Sequence, residues 1–174
     1  MVMGTRNPES SARFMGHPVH PVLVTIPVGL FIAVFIFDLA FWQSRSAVFA
    51  TGSIWLLGIG LAGGVLAAIA GLIDFLGDVR IRALGDAWQH AIGNVVLVLV
   101  QLVNIFFRIR DGAEVILPWG LILSLVAVCI LLFTGWKGGE LVYRHRVAVA
   151  DEPRAQAGTP GSGTRPPTGK GESR

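Results

Sequence analysis

Four apolar stretches, at about 22–42, 52–76, 92–107 and 115–136, alternate with short polar breaks along the chain. A helix crossing the hydrocarbon core of a bilayer needs about 20 apolar residues, with a range of about 17–25. The third stretch reaches that length only if its helix begins near Trp88. An unpaired backbone amide costs several kcal/mol in lipid, so all four segments are expected to be helices. The pattern predicts an all-α fold, an integral membrane four-helix transmembrane bundle with short loops. Its expected organisation is a polar N-terminal segment at 1–16, the transmembrane domain at 17–149 and a disordered tail at 150–174. The tail, "GTPGSGTRPPTGKGESR", is too poor in apolar residues to offset the entropy of ordering it.

Composition sharpens this picture. The 174 residues are 53% hydrophobic and 14% charged, against about 25% charged in soluble domains. The formal charge of +3 could point to nucleic acid, but the basic residues flank apolar runs and form no aromatic-interleaved patch. The expected partner is the lipid bilayer, with no nucleic acid. A single cysteine, Cys129, excludes an intrachain disulfide and a thiolate metal cluster.

Lys and Arg mark the cytoplasmic side of a membrane protein. One side collects Arg6, Arg13, Arg80, Arg82, Lys137, Arg144, Arg146 and Arg154, and the other Arg45, Arg108 and Arg110. Both termini are therefore expected to be cytoplasmic, in a bacterial inner membrane. All five tryptophans fall at ends of the apolar runs, where interfacial rings are stable. The first run is too long for a signal peptide and no clear cleavage site follows it, so it reads as a retained helix.

"GIGLAG" at 58–63 matches G-x-G-x-x-G, but that motif needs a strand, a turn and a helix start. Inside an unbroken apolar run it does not bind a dinucleotide. Gly60, Gly64 and Ala68 instead form a small-residue stripe along which helix backbones approach closely, and the second helix should be the most buried. Asp74 falls on that stripe's face and needs a partner, with Arg80, Arg82 or a histidine in reach. On the third helix His90, Asn94, Gln101, Asn104 and Arg108 fall within one narrow arc, which must face the bundle or a wet cavity. Hydrogen-bonded glue and a functional pathway fit that arc equally well.

"HPVHP" at 17–21 reads as a helix start, because proline is tolerated in a first turn. It would place His17 and His20 on one side of the helix, and Pro27 should kink it. All four histidines, His17, His20, His90 and His145, map to the cytoplasmic boundary. Neutral imidazole binds metal or haem. His20 and His90 are accordingly the candidate cofactor and metal ligands, with Asp74 beside them, Asn94 one turn from His90, His17 in reserve and His145 the weakest.

"GHPVHPVLVTIPVG", "GLIDF", "WQHAIGNV" and "GWKGGELVYRH", in this order, resemble a bacterial membrane family catalogued as domain of unknown function 2231. The resemblance covers about 14–149. It implies a four-helix inner-membrane domain with no established activity. The positions that match family motifs are His17, Pro18, His20, Pro21, Asp74, His90, Asn94, Gly138, Gly139, Tyr143 and His145. Glycine commonly follows the last histidine in the family, and here Arg146 stands there. Some relatives are fused to a Rieske-type iron–sulphur domain, which implies redox work, although this chain has no such domain.

Three readings follow. The first is a redox-associated protein whose histidines hold haem b or a transition metal, with a membrane redox partner or a second copy of the chain beside it. The second is a non-enzymatic accessory or assembly subunit of a membrane complex. The third is a small proton-coupled transporter, against which the sequence shows no inverted repeat. Ser124 and Cys129 have no histidine at their depth, so no nucleophile–base pair marks an enzyme.

Overall fold

The computed structural model describes residues 6–151. The expected disordered tail lies outside the described residues beyond its first two positions. A two-residue hairpin, β1 (Arg13–Phe14) and β2 (His17–Pro18), precedes α1 (Val19–Leu23) and α2 (Thr25–Ser44). There follow α3 (Ala47–Gly77), the short α4 (Val79–Arg82), α5 (Gly85–Asp111), a 3₁₀ turn (Gly112–Ile116) and α6 (Trp119–Tyr143). Four helical segments, Val19–Ser44, Ala47–Gly77, Gly85–Ile116 and Trp119–Tyr143, are long and apolar enough to cross a membrane. The third begins at Gly85, earlier than its apolar run, because its first turns are amphipathic and carry Asp86 and His90.

The segment "HPVHP" departs from the expected helix start. Met15 and Gly16 both have positive φ (50° and 82°), as in a two-residue hairpin turn that pairs Phe14 with His17. The helix starts only at Val19, so His17 lies on the hairpin and shares no helical face with His20. Pro27 marks a break in the helical hydrogen bonding rather than in the span, which runs Val19–Ser44. It cannot donate to the carbonyl of Leu23, and the helix is interrupted at Val24, between α1 and α2.

Helices α2 and α3 pack as one antiparallel pair and α5 and α6 as another. Contacts of α3 with α5 and of α2 with α6 close the ring, which leaves α2 diagonal to α5. Phe31, Val34, Leu57, Leu61, Leu97, Ala127 and Leu131 form the central core. Trp42, Trp55, Trp88, Trp119 and Trp136 are all exposed on the outer surface. The most buried helix is α3. A Cβ at Gly60 would stand 2.8 Å from the Phe31 ring and one at Gly63 2.9 Å from Ile26. Gly60 and Gly64 of the expected stripe are buried against α2, whereas Ala68 is exposed and Ala67 is buried in its place. At Gly64 the nearest atom is at 3.7 Å, so the tight contacts are at Gly60 and Gly63.

The two hairpins repeat one plan. Shifted by 70 residues, the buried Pro27, Phe31, Val34 and Asp38 of α2 fall on the buried Leu97, Gln101, Asn104 and Arg108 of α5. Shifted by 67, Ser53, Leu57, Gly60, Gly64 and Ala67 of α3 fall on Gly120, Ser124, Ala127, Leu131 and Thr134, the buried positions of α6. This is a parallel repeat, with its axis along the bundle, rather than an inverted one.

Candidate functional site

At the end of the bundle that carries both termini, the repeat brings His20 and His90 together, with ring centroids 5.9 Å apart and planes at 89°. His20 Nδ1 lies 2.8 Å from the carbonyl oxygen of Ala67 on α3, and His90 Nδ1 lies 2.8 Å from that of Thr134 on α6. A carbonyl only accepts, so in the neutral rings Nδ1 carries the proton and Nε2 keeps its lone pair. Each ring also rests on the glycine one turn further along the same neighbour. Cβ atoms at Gly71 and Gly138 would stand 2.9 and 3.1 Å from the His20 and His90 rings. Ala67 and Thr134, like Gly71 and Gly138, correspond under the 67-residue shift, so each hairpin builds the same half-site. Asn94 Nδ2 bonds the His90 carbonyl at 2.8 Å and stands 3.2 Å from His90 Nε2. No hydrogen bond within the described residues reaches His20 Nε2.

The other expected ligands have other partners. Asp74 Oδ1 accepts from Ser10 Oγ at 2.8 Å and from the Ala12 amide at 2.7 Å. It clamps the N-terminal segment and has no ion-pair partner among the described residues, so neither Arg80, Arg82 nor a histidine fills that place. His17 is exposed on β2, its Nδ1 3.1 Å from the Met15 carbonyl. His145 Nε2 pairs with Asp86 at 2.9 Å, and Asp86 is also held by Lys137 at 2.9 Å. Among the described residues no group of three or more His, Cys, Asp or Glu side chains converges on one point. Asp78 anchors the same segment by accepting from the Glu9 amide. The Arg80 guanidinium, bonded to it at 2.7 Å, holds the Asp78 carboxyl down at about 2 against desolvation. The two ends of the described segment meet here: the Asn7 amide donates to Asp151, and the Ala148 amide donates to the Pro8 carbonyl.

A cavity of about 40 Å³ adjoins His20 and Asn94, walled by Pro27, Phe31, Leu97 and Leu131. That is room for about one water or a bare ion. A haem macrocycle needs a pocket on the order of 300–1,000 Å³. With Gly71 and Gly138 backbones against both rings, haem b does not fit between them.

The far end holds a second polar centre. Arg108 is 1% exposed and Asp38 0%. Arg108 Nη1 and Nη2 meet the two Asp38 oxygens at 2.8 and 2.6 Å, a bidentate pair. Nη1 also donates to Ser53 Oγ, Nη2 to Ser124 Oγ and Nε to Asn104 Oδ1. All five guanidinium donors are used. Ser124 Oγ donates back to Asp38, and Asn104 Nδ2 reaches Gln101 and Ser124. This half of the polar arc is therefore glue: a closed network drawn from all four long helices. Only Gln101 Nε2 is left buried without a partner among the described side chains.

A family model described as predicted membrane protein (DUF2231) matches residues 16–151. The chain belongs to this family. The match begins at the hairpin turn and takes in both half-sites, the far-end network and all four long helices. No curated protein and no solved structure matches the chain.

Proposed function

We propose that this member of the DUF2231 family is a non-enzymatic, redox-associated inner-membrane protein that holds a transition-metal ion between His20 and His90. The observation that carries the reading is the pair itself. Two imidazoles from residues 70 apart stand 5.9 Å apart on the repeat axis, and each has Nδ1 bonded to a backbone carbonyl. Such a bond to the second nitrogen orients a metal-binding histidine and makes it more basic. His20 and His90 supply the Nε2 ligands. Asn94 Nδ2 donates to the His90 lone pair at 3.2 Å, and Asp74 fixes the N-terminal segment at this end.

The termini face the cytoplasm in this reading. Arg108 counts among the far-end cations in sequence, and it is sealed in an ion pair with Asp38.

The test is metal analysis and visible spectroscopy, oxidised and reduced, on protein purified in mild detergent after growth with haem and metals supplied. The expected result is one metal ion per chain, lost in both His20→Ala and His90→Ala and kept in His145→Ala. Metal-free protein under these conditions would overturn this reading and favour the accessory subunit.

A further inference from the structure

We propose that the site between His20 and His90 takes one monovalent, two-coordinate ion of the copper(I) class, seated on the axis that relates the two hairpins. The proposal rests on the metal-binding reading above and names the ion.

The first ground is equivalence. Each hairpin pins one imidazole through Nδ1 to a neighbour's carbonyl and lays it on the glycine one turn away. With the Nδ1–Cε1 edge of each ring against its glycine and Nδ1 on a carbonyl, each half-site has Nε2 as its remaining ligand atom. The second ground is distance. Two imidazoles bound in line to one ion, with metal–nitrogen bonds near 2.0 Å, have ring centroids roughly 6 Å apart. The observed separation is 5.9 Å. Perpendicular planes keep the ring C–H groups clear of each other.

The third ground is charge. Among the described residues no third His, Cys, Asp or Glu joins the pair. Asp74 is taken by Ser10 and Ala12, and Asp86 by Lys137 and His145. The ligand set is neutral and lies in a largely apolar surround. The cost of transferring an ion from water grows with the square of its charge, so a divalent ion costs roughly four times a monovalent one of equal size. Zinc moreover requires about four ligands in a tetrahedron. A closed-shell monovalent ion accepts two nitrogen donors in line and needs no counter-charge. A cavity of about 40 Å³ adjoins His20 and Asn94 on one side of the pair, and His90 does not line it. Asn94 must release His90 Nε2, and it keeps its 2.8 Å bond to the His90 carbonyl when it does.

The experiment titrates detergent-purified protein anaerobically with copper(I) buffered by a coloured chelator, with parallel zinc(II), nickel(II), iron(II) and haem titrations. X-ray absorption is recorded on the copper-loaded protein. The expected result is one copper(I) per chain with two nitrogen neighbours, and zinc(II) unable to displace it. His20→Ala and His90→Ala should each weaken binding at least 100-fold, and His17→Ala should not change it. Asn94→Ala should bind as tightly as wild type or tighter, and it checks the site without removing a ligand. Zinc, nickel, iron or haem bound through the same histidines in place of copper(I) would overturn the ion class and leave the metal-binding reading intact. Copper(I) binding that survives both histidine changes, or absorption showing four ligands, would overturn the proposal. No binding of any of these by wild type would overturn both.

Discussion

The two polar centres of this bundle lie 18 residues apart on each hairpin, His20 to Asp38 and His90 to Arg108, and they differ in how fully they are used. At the far end every donor of Arg108 and both oxygens of Asp38 are bonded, and neither side chain meets solvent or lipid. At the terminal end each imidazole spends one nitrogen on the backbone and turns the other away from it. A closed network in lipid is a lock, because its groups have no better partner available. A pair in which His20 Nε2 meets no donor among the described residues, and His90 Nε2 only the Asn94 amide at 3.2 Å, is a candidate site. The repeat places both centres between the same two diagonal spans, Val19–Ser44 and Gly85–Ile116, so the difference comes from side-chain chemistry.

The contrast breaks most visibly at the lock. Arg108→Met or Asp38→Asn leaves a buried partner uncompensated and should cost about 3–5 kcal/mol. Thermal unfolding in detergent should show this as a large loss, well beyond that of His20→Ala. The double change Asp38→Arg with Arg108→Asp sharpens the comparison, because the two positions correspond across the repeat. It should recover a substantial part of what either change alone loses. No recovery would mean that the hairpins are less equivalent than their buried positions imply.

Next in size are the close approaches. Gly60→Ala drives a Cβ to 2.8 Å from Phe31 and should cost about 1–3 kcal/mol, while Gly64→Ala, at 3.7 Å, should be nearly neutral. Equal melting of the two variants would contradict the packing of α2 on α3. Gly71→Ala places its Cβ 2.9 Å from the His20 ring and should disturb the terminal site while sparing the lock.

Smaller still is the clamp. Asp74→Asn weakens two hydrogen bonds to the N-terminal segment and should cost about 1–2 kcal/mol locally. Limited proteolysis should then cut near residues 6–18 faster, with the helices unaffected. The smallest effect is the pH response of the same strap. Asp78 titrates lower in the folded protein, at about 2, than its ordinary value of 3.8. Its contribution is therefore whole above about pH 4 and lost as pH falls towards 2. Hydrogen exchange at the Glu9 amide should speed up across that window, and Asp78→Asn should remove the dependence.

Much of this architecture is legible in the sequence. Apolar length sets the four spans, and the polar arc of α5 sets which of its faces turns inward. Hydrophobic periodicity reports depth and facing but not which helices stand diagonal to one another, so the pairing of Asp38 with Arg108 stayed hidden. The equal spacing of 18 was the available signal. The repeat is masked because lipid and core accept almost any apolar residue: Phe31 faces Gln101 and Val34 faces Asn104 under the shift. Asp74 read as a histidine or arginine partner because the polar segment before His17 shows no pattern that foretells its folding back onto α3.

Nitrogen NMR of the histidine rings in the purified protein reads whether both imidazoles keep an Nε2 lone pair for one shared ion. His20 and His90 should both be protonated at Nδ1 before any metal is added. On adding copper(I), both Nε2 signals should shift together and reach their end point at one ion per chain. A ring protonated at Nε2, or a shift confined to one of the two histidines, would contradict the shared site.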